Sequence, residues 1–177
     1  MNTISVVERH FDPPAGVEEI FEGERRVADY LRERHMTWLS TFASRDRRHL
    51  VSFYDAPDAE GVRDTLDRAG VAHDRVWSGG AVRPTQRPVR PEGYSTVVVQ
   101  RETPHGMPEE AWKERVESSQ WCLSAHRVVH VESVFSAVSA LAVCVFFAPD
   151  SEAVRLANER LGSSDLRAWP CDEWHAR

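Results

Sequence analysis

The sequence predicts an α+β fold assembled from two tandem copies of one β-α-β-β-α-β unit, and three observations carry that expectation. The first is internal similarity. Sliding the chain on itself by 92 residues sets Ala56-Pro57-Asp58 on Ala148-Pro149-Asp150, and Glu60, Val62 and Arg63 on Glu152, Val154 and Arg155. The same gapless shift aligns Val6, Val7 and Arg9 with Val98, Val99 and Arg101, Gly70 with Gly162, and Trp77 with Trp169. The second observation is that each copy alternates short β-branched runs with stretches of helical spacing. The third is the segment SGGAVRPTQRPVRPEG between the copies, whose Pro84, Pro88 and Pro91 predict a semi-rigid extended linker. The expected organisation is one unit over residues 1–78, a linker over 79–94, and a second unit with a C-terminal tail over 95–177.

Taken in order, TISVVER and STVVVQR are first strands. Residues 17–35 place Ile20, Val27, Tyr30 and Leu31 at helical spacing among charges, and Trp112, Trp121 and Leu123 are expected in the core of the equivalent helix. A hairpin follows in each copy: TWLSTFAS, a turn at Arg45–Arg48 and HLVSFYD, then VHVESVFS, a turn near Ala137–Ala140 and LAVCVFF. Asp58 and Asp150 suit helix N-caps, Glu60 and Glu152 favour the helix dipole, and Gly70 ends the second helix of the first copy. A last strand carries Val76-Trp77. This order is the ferredoxin-like, split βαβ arrangement.

Composition narrows the function. A formal net charge of −6 argues against a nucleic-acid partner, since such affinity rests on a basic surface. No apolar run approaches the roughly 20 residues that span a bilayer, so no membrane partner is expected. The start MNTISVVERHF lacks a secretory signal pattern. Cys122, Cys144 and Cys171 are odd in number and lack CxxC spacing, which fits a reduced, cytoplasmic protein. Phosphate loops and the nucleophile elbow of serine hydrolases do not occur, so nucleotide and serine-hydrolase chemistry have no support.

Strand alternation then selects a face. Centring the first hairpin on Asp46 sets Trp38 opposite Tyr54, Ser40 opposite Ser52 and Phe42 opposite Leu50. Centring the second on Val138 sets His130 opposite Phe146, Glu132 opposite Cys144 and Val134 opposite Ala142. The alternate set, Val129, Val131, Phe135, Leu141, Val143, Val145 and Phe147, is almost uniformly apolar and is expected to pack the helices. The mixed faces are then expected to pack sheet to sheet, as an intramolecular α+β barrel and monomeric pseudo-dimer. The pocket between them would be lined by Glu8, Trp38, Ser40, Ser52, Tyr54, Gln100, His130, Glu132, Cys144 and Phe146.

The strings VERHF, MTWLSTFASRD, VSFYDAPDAEGVR and AGVAHDRV resemble a bacterial domain-of-unknown-function family whose described member binds nickel. The resemblance implies a ferredoxin-like fold of a kind that dimerises, here as two copies in one chain. It places the family's hairpin His on Ser40 and Glu132, and the family's Cys on Ser52 and Cys144. Any Ni(II) or other divalent transition metal would therefore be held in the second copy, by Glu132, Cys144 and His130.

Two functions follow. The first is a binder of a small ligand or transition metal in the pocket between the sheets. The alternative is a cofactor-independent oxygenase, cyclase or isomerase of the α+β barrel kind, with Glu8, His130 or Glu132 as acid or base.

Overall fold

The computed structural model describes residues 3–103, 108–163 and 165–176. The chain divides into two compact units, Met1–Gly79 with Asp172–Arg177, and Gly80–Cys171. The first unit runs β1 (Thr3–His10), α1 (Val17–Glu33), β2 (Thr37–Ser44), β3 (His49–Asp55), α2 (Ala59–Arg68) and the start of β4 (Arg75–Val82). The second holds the end of β4, then β5 (Ser95–Glu102), α3 (Glu109–Ser118), α4 (Gln120–Ala125), β6 (Val129–Ser136), β7 (Leu141–Ala148), α5 (Ser151–Arg160) and most of β8 (Leu166–His175). Each unit is thus a mixed α+β structure. Residues 83–94 carry no helix or strand.

In the first unit β3 lies between β1 and β2, antiparallel to both. α1 covers one face of this sheet because Ile20, Val27 and Leu31 fall on one side of the helix and are buried. Val27 and Leu31 pack with Val7, Tyr54, Val62 and Leu66, and Ile20 packs with Ala15, Ala43 and Leu50. Asp58 caps α2 by accepting the Gly61 N–H at 2.7 Å, and Gly70, at φ +64°, takes the left-handed turn that follows. The last residues of the chain complete this unit. Arg47 pairs with Asp172 at 2.6 Å, and Trp174 meets Phe21 edge-on at 5.1 Å between ring centres.

The second unit has β7 between β5 and β6, with β8 on the other side of β5. Gly80–Val82 of β4 pairs with Ser133–Phe135 of β6. Asp150 caps α5 through the Ala153 N–H at 2.8 Å, and Gly162 repeats the positive φ at +76°. The stretch matching α1 is broken at Ser119 into α3 and α4. The break leaves Trp112 buried and turns Trp121 outward at 63% exposure, so only the first of these tryptophans joins the core.

The hairpin registers differ from the expected ones, for one physical reason. Trp38 does face Tyr54 and His130 does face Phe146, but the pairing then slips between Trp38 and Ser40 and between His130 and Glu132. Leu39 and Val131 are bulged residues at matching positions, and each bulge reverses which face the following residues occupy. Ser40 therefore pairs with Phe53 and Phe42 with Val51; Glu132 pairs with Val145 and Val134 with Val143. The helix-facing set in the second unit is Val97, Val99, Phe135, Ala142, Cys144 and Phe146. Val143, Val145 and Phe147, expected there, lie on the opposite face and are equally buried, so apolar character alone does not distinguish the two faces.

Candidate functional site

Between sheet and helix, the first unit encloses a polar network. Glu24 lies on the apolar side of α1, with Ile20, Val27 and Leu31, and is only 7% exposed. Its carboxylate accepts hydrogen bonds from Arg9 (3.0 Å), Ser52 (3.0 Å) and Tyr54 (2.9 Å). Thr41 and Ser52 share a hydroxyl contact of 2.8 Å, and the Trp38 indole N–H donates to Thr41 at 2.9 Å. The buried carboxylate is thus compensated by a cation and hydroxyl donors, as burial of a charge requires. Burial, and then the Glu24 charge, push the Tyr54 phenol well above its ordinary pKa, so it remains a donor.

The corresponding place in the second unit is a cavity of about 140 Å³. A shift of 92 residues carries Arg9 to Arg101, Glu24 to Val116, Trp38 to His130, Thr41 to Ser133, Ser52 to Cys144 and Tyr54 to Phe146. All six of the latter residues line the cavity, with Trp112, Arg115, Leu123, Asn158 and Leu161 among its other walls. His130 Nε2 is 2.8 Å from Ser133 Oγ, and its ring meets Phe146 edge-on at 5.7 Å. Burial first, and then the Arg101 charge, push His130 down to about 4, so it is neutral at pH 7.

Arg101 reaches Cys144 Sγ at 3.5 Å and Ser163 Oγ at 3.3 Å, and its guanidinium lies 5.8 Å from the centre of the Trp112 ring. No carboxylate among the described residues pairs with it, and no Asp or Glu lines the cavity. Arg115 stands where the first unit has Gly23 and donates to the same Ser163 at 2.7 Å. Arg101 Nε and Trp112 Nε1 are buried without a hydrogen-bond partner among the described residues. The chamber therefore presents cations and N–H and O–H donors against aromatic and aliphatic walls.

His130, Cys144 and Phe146 come together in this cavity. Trp38, Ser52 and Tyr54 belong to the first unit's network and face α1, not away from it. Ser40 is turned to the other face by the bulge at Leu39. Glu8 and Gln100 also lie on the other face of their sheets, where each accepts from a tryptophan of its own unit: Trp77 to Glu8 at 2.7 Å and Trp169 to Gln100 at 3.0 Å. Glu132 is likewise turned away from His130 and Cys144 and pairs with Arg83 at 2.9 Å. Among the described residues, no three His, Cys, Asp or Glu gather where they could hold a metal ion. Glu24, Arg101, Arg115, Val116 and Ser133 were not among the residues expected at a site from the sequence. The available signal was a carboxylate on the apolar stripe of α1, replaced by valine in the other copy beside an arginine common to both.

Solved structures share the fold. A mutant chlorite dismutase from Candidatus Nitrospira defluvii is similar at a TM-score of 0.55 and 9% identity, over 96% of this chain and 90% of that one. The putative chlorite dismutase TA0507 is similar at 0.53 and 8% identity, over 96% and 94% of the two chains. Residues 6–78 match the SCO4226-like family, described as nickel responsive protein SCO4226-like, in agreement with the resemblance carried by the sequence strings. No curated protein matches the chain. Among the described residues, no helix is long and apolar enough to cross a membrane.

Proposed function

We propose that the chain is a tandem pair of one unit in which the second copy has become a binding chamber for a small organic molecule. The observation that carries this reading is the cavity of about 140 Å³, with buried N–H groups of Arg101 and Trp112 in its walls. A cavity of about 150 Å³ holds a benzene-sized molecule, and polar groups converging on apolar walls are the usual make-up of a ligand site.

The match of residues 6–78 to a nickel-responsive family supports a metal-related role for units of this kind. The donors present here do not fit a nickel ion. Ser40 and Ser52 stand at the family's His and Cys positions in the first unit, and hydroxyls are poor ligands for Ni(II). In the second unit the bulge separates Glu132 from Cys144, and Arg101 places a cation 3.5 Å from the sulfur. An enzymatic reading is also less well served. A histidine pushed down to about 4 is a weak base at neutral pH, and Glu132 lies on the other face of the sheet.

The test is nuclear magnetic resonance of the full chain with a set of benzene-sized fragments, the Trp112 indole signal being assigned with Trp112→Phe. Fragments should move that signal, and Val116→Phe, which fills the chamber, should abolish the effect. Fragments that leave Trp112 unmoved would overturn the reading.

A further inference from the structure

We infer that the molecule this chamber selects is a small carboxylate, whose charged group sits where the first unit places the Glu24 side chain. The inference rests on the chamber being a ligand site and names the ligand's chemistry.

The first unit shows what the site is shaped to hold. There a carboxylate is ringed by the arginine of the first strand and by hydroxyl groups at positions 52 and 54, all within 3.0 Å. The second unit keeps the arginine, as Arg101, and keeps hydroxyl chemistry at Ser133. It loses the carboxylate, because Val116 replaces Glu24, and it widens, because His130 and Ser133 replace the larger Trp38 and Thr41. The same exchange adds a second cation, with Arg115 in place of Gly23. One arginine and one glutamate in the first unit thus become two arginines in the second. A partly buried guanidinium is best matched by a carboxylate, which accepts its forked N–H groups in plane. The neutral His130 and the Trp112 N–H suit an acceptor-bearing ligand and do not compete for its charge. Phe146, Leu123 and Leu161 leave the remainder of the chamber apolar. A carboxylate on a small aromatic or branched aliphatic body satisfies both parts.

Benzoate and benzamide, matched in size and shape, separate the charge from the fit. Each is titrated into the full-length protein, with the Trp112 indole signal as readout. Benzoate should bind about tenfold or more tighter than benzamide, the margin expected of charge-assisted over neutral hydrogen bonds. Arg101→Gln should bring the two affinities together. Should that variant fail to fold, Val116→Glu and Val116→Gln provide the comparison. The two introduced side chains fill the same space, but only the introduced carboxylate pairs with Arg101, so Val116→Glu should exclude benzoate more strongly than Val116→Gln. Equal binding of benzamide and benzoate by the parent would overturn the carboxylate inference and leave the chamber as a ligand site. Tighter binding of inorganic phosphate than of benzoate would overturn it in favour of a phosphate site. If neither benzoate nor benzamide moves Trp112, both the inference and the ligand-site reading fail.

Discussion

Glu24 on α1 and Val116 on α3 hold matching positions in their units, and each faces the arginine contributed by its unit's first strand. Where the glutamate stands, the space between sheet and helix is closed by a four-group hydrogen-bond network; where the valine stands, it is a chamber. This exchange, together with those at Trp38 and His130 and at Tyr54 and Phe146, separates a structural interior from a candidate binding site.

Removing the first unit's carboxylate should therefore be costly. Glu24→Leu leaves the Arg9 charge and the Ser52 and Tyr54 hydroxyls buried without their acceptor. Breaking a buried pair in this way costs about 3–5 kcal/mol. Replacing both partners, with Arg9→Met and Glu24→Leu together, should recover much of that loss. Urea unfolding of the two variants against the parent measures the difference.

Acid should weaken the second unit. The folded pKa of His130, about 4, lies below the ordinary value of 6.5 that the unfolded chain recovers. Between these values the unfolded chain binds more protons, so stability is fully present above pH 6.5 and is lost as pH falls towards 4. The contribution amounts to about 3 kcal/mol. His130→Gln retains a partner for Ser133 and should flatten the stability profile across that window, as read by urea midpoints at successive pH values.

Much of the fold was legible in the sequence, and the limits have a physical origin. The helix caps at Asp58 and Asp150, the turns at Gly70 and Gly162 and the central pairs Trp38–Tyr54 and His130–Phe146 all follow from local rules. The bulges at Leu39 and Val131 leave no compositional mark, yet each inverts the facing of half a strand. That inversion is why Cys144 and Glu132, expected together, lie on opposite faces. The chamber was hidden for a related reason. Both faces of β7 are apolar and buried, so alternation marks two faces without saying which one meets the helices.

The caps supply a matched control. Asp58→Ala and Asp150→Ala each remove one acceptor from a helix N-terminus and should each cost about 1 kcal/mol. Because neither residue touches the network or the chamber, the benzoate affinity of the Asp150→Ala protein should equal that of the parent, as calorimetry can show.

Nickel offers a further test. Glu132 is turned away from Cys144 and Arg101 lies beside the sulfur, an arrangement that disfavours metal ligation by this thiol. Cys144→Ser should give the same nickel isotherm as the parent in titration calorimetry. A weaker isotherm in the variant would show that the sulfur does ligate metal.

The most direct measurement is a crystal structure of the full chain grown with saturating benzoate. The ring should lie among Leu123, Phe146 and Leu161, with the carboxylate in hydrogen-bond contact with Arg101 near Val116. Benzoate bound elsewhere, or bound in the chamber with its carboxylate turned away from Arg101, would contradict a carboxylate site at Arg101.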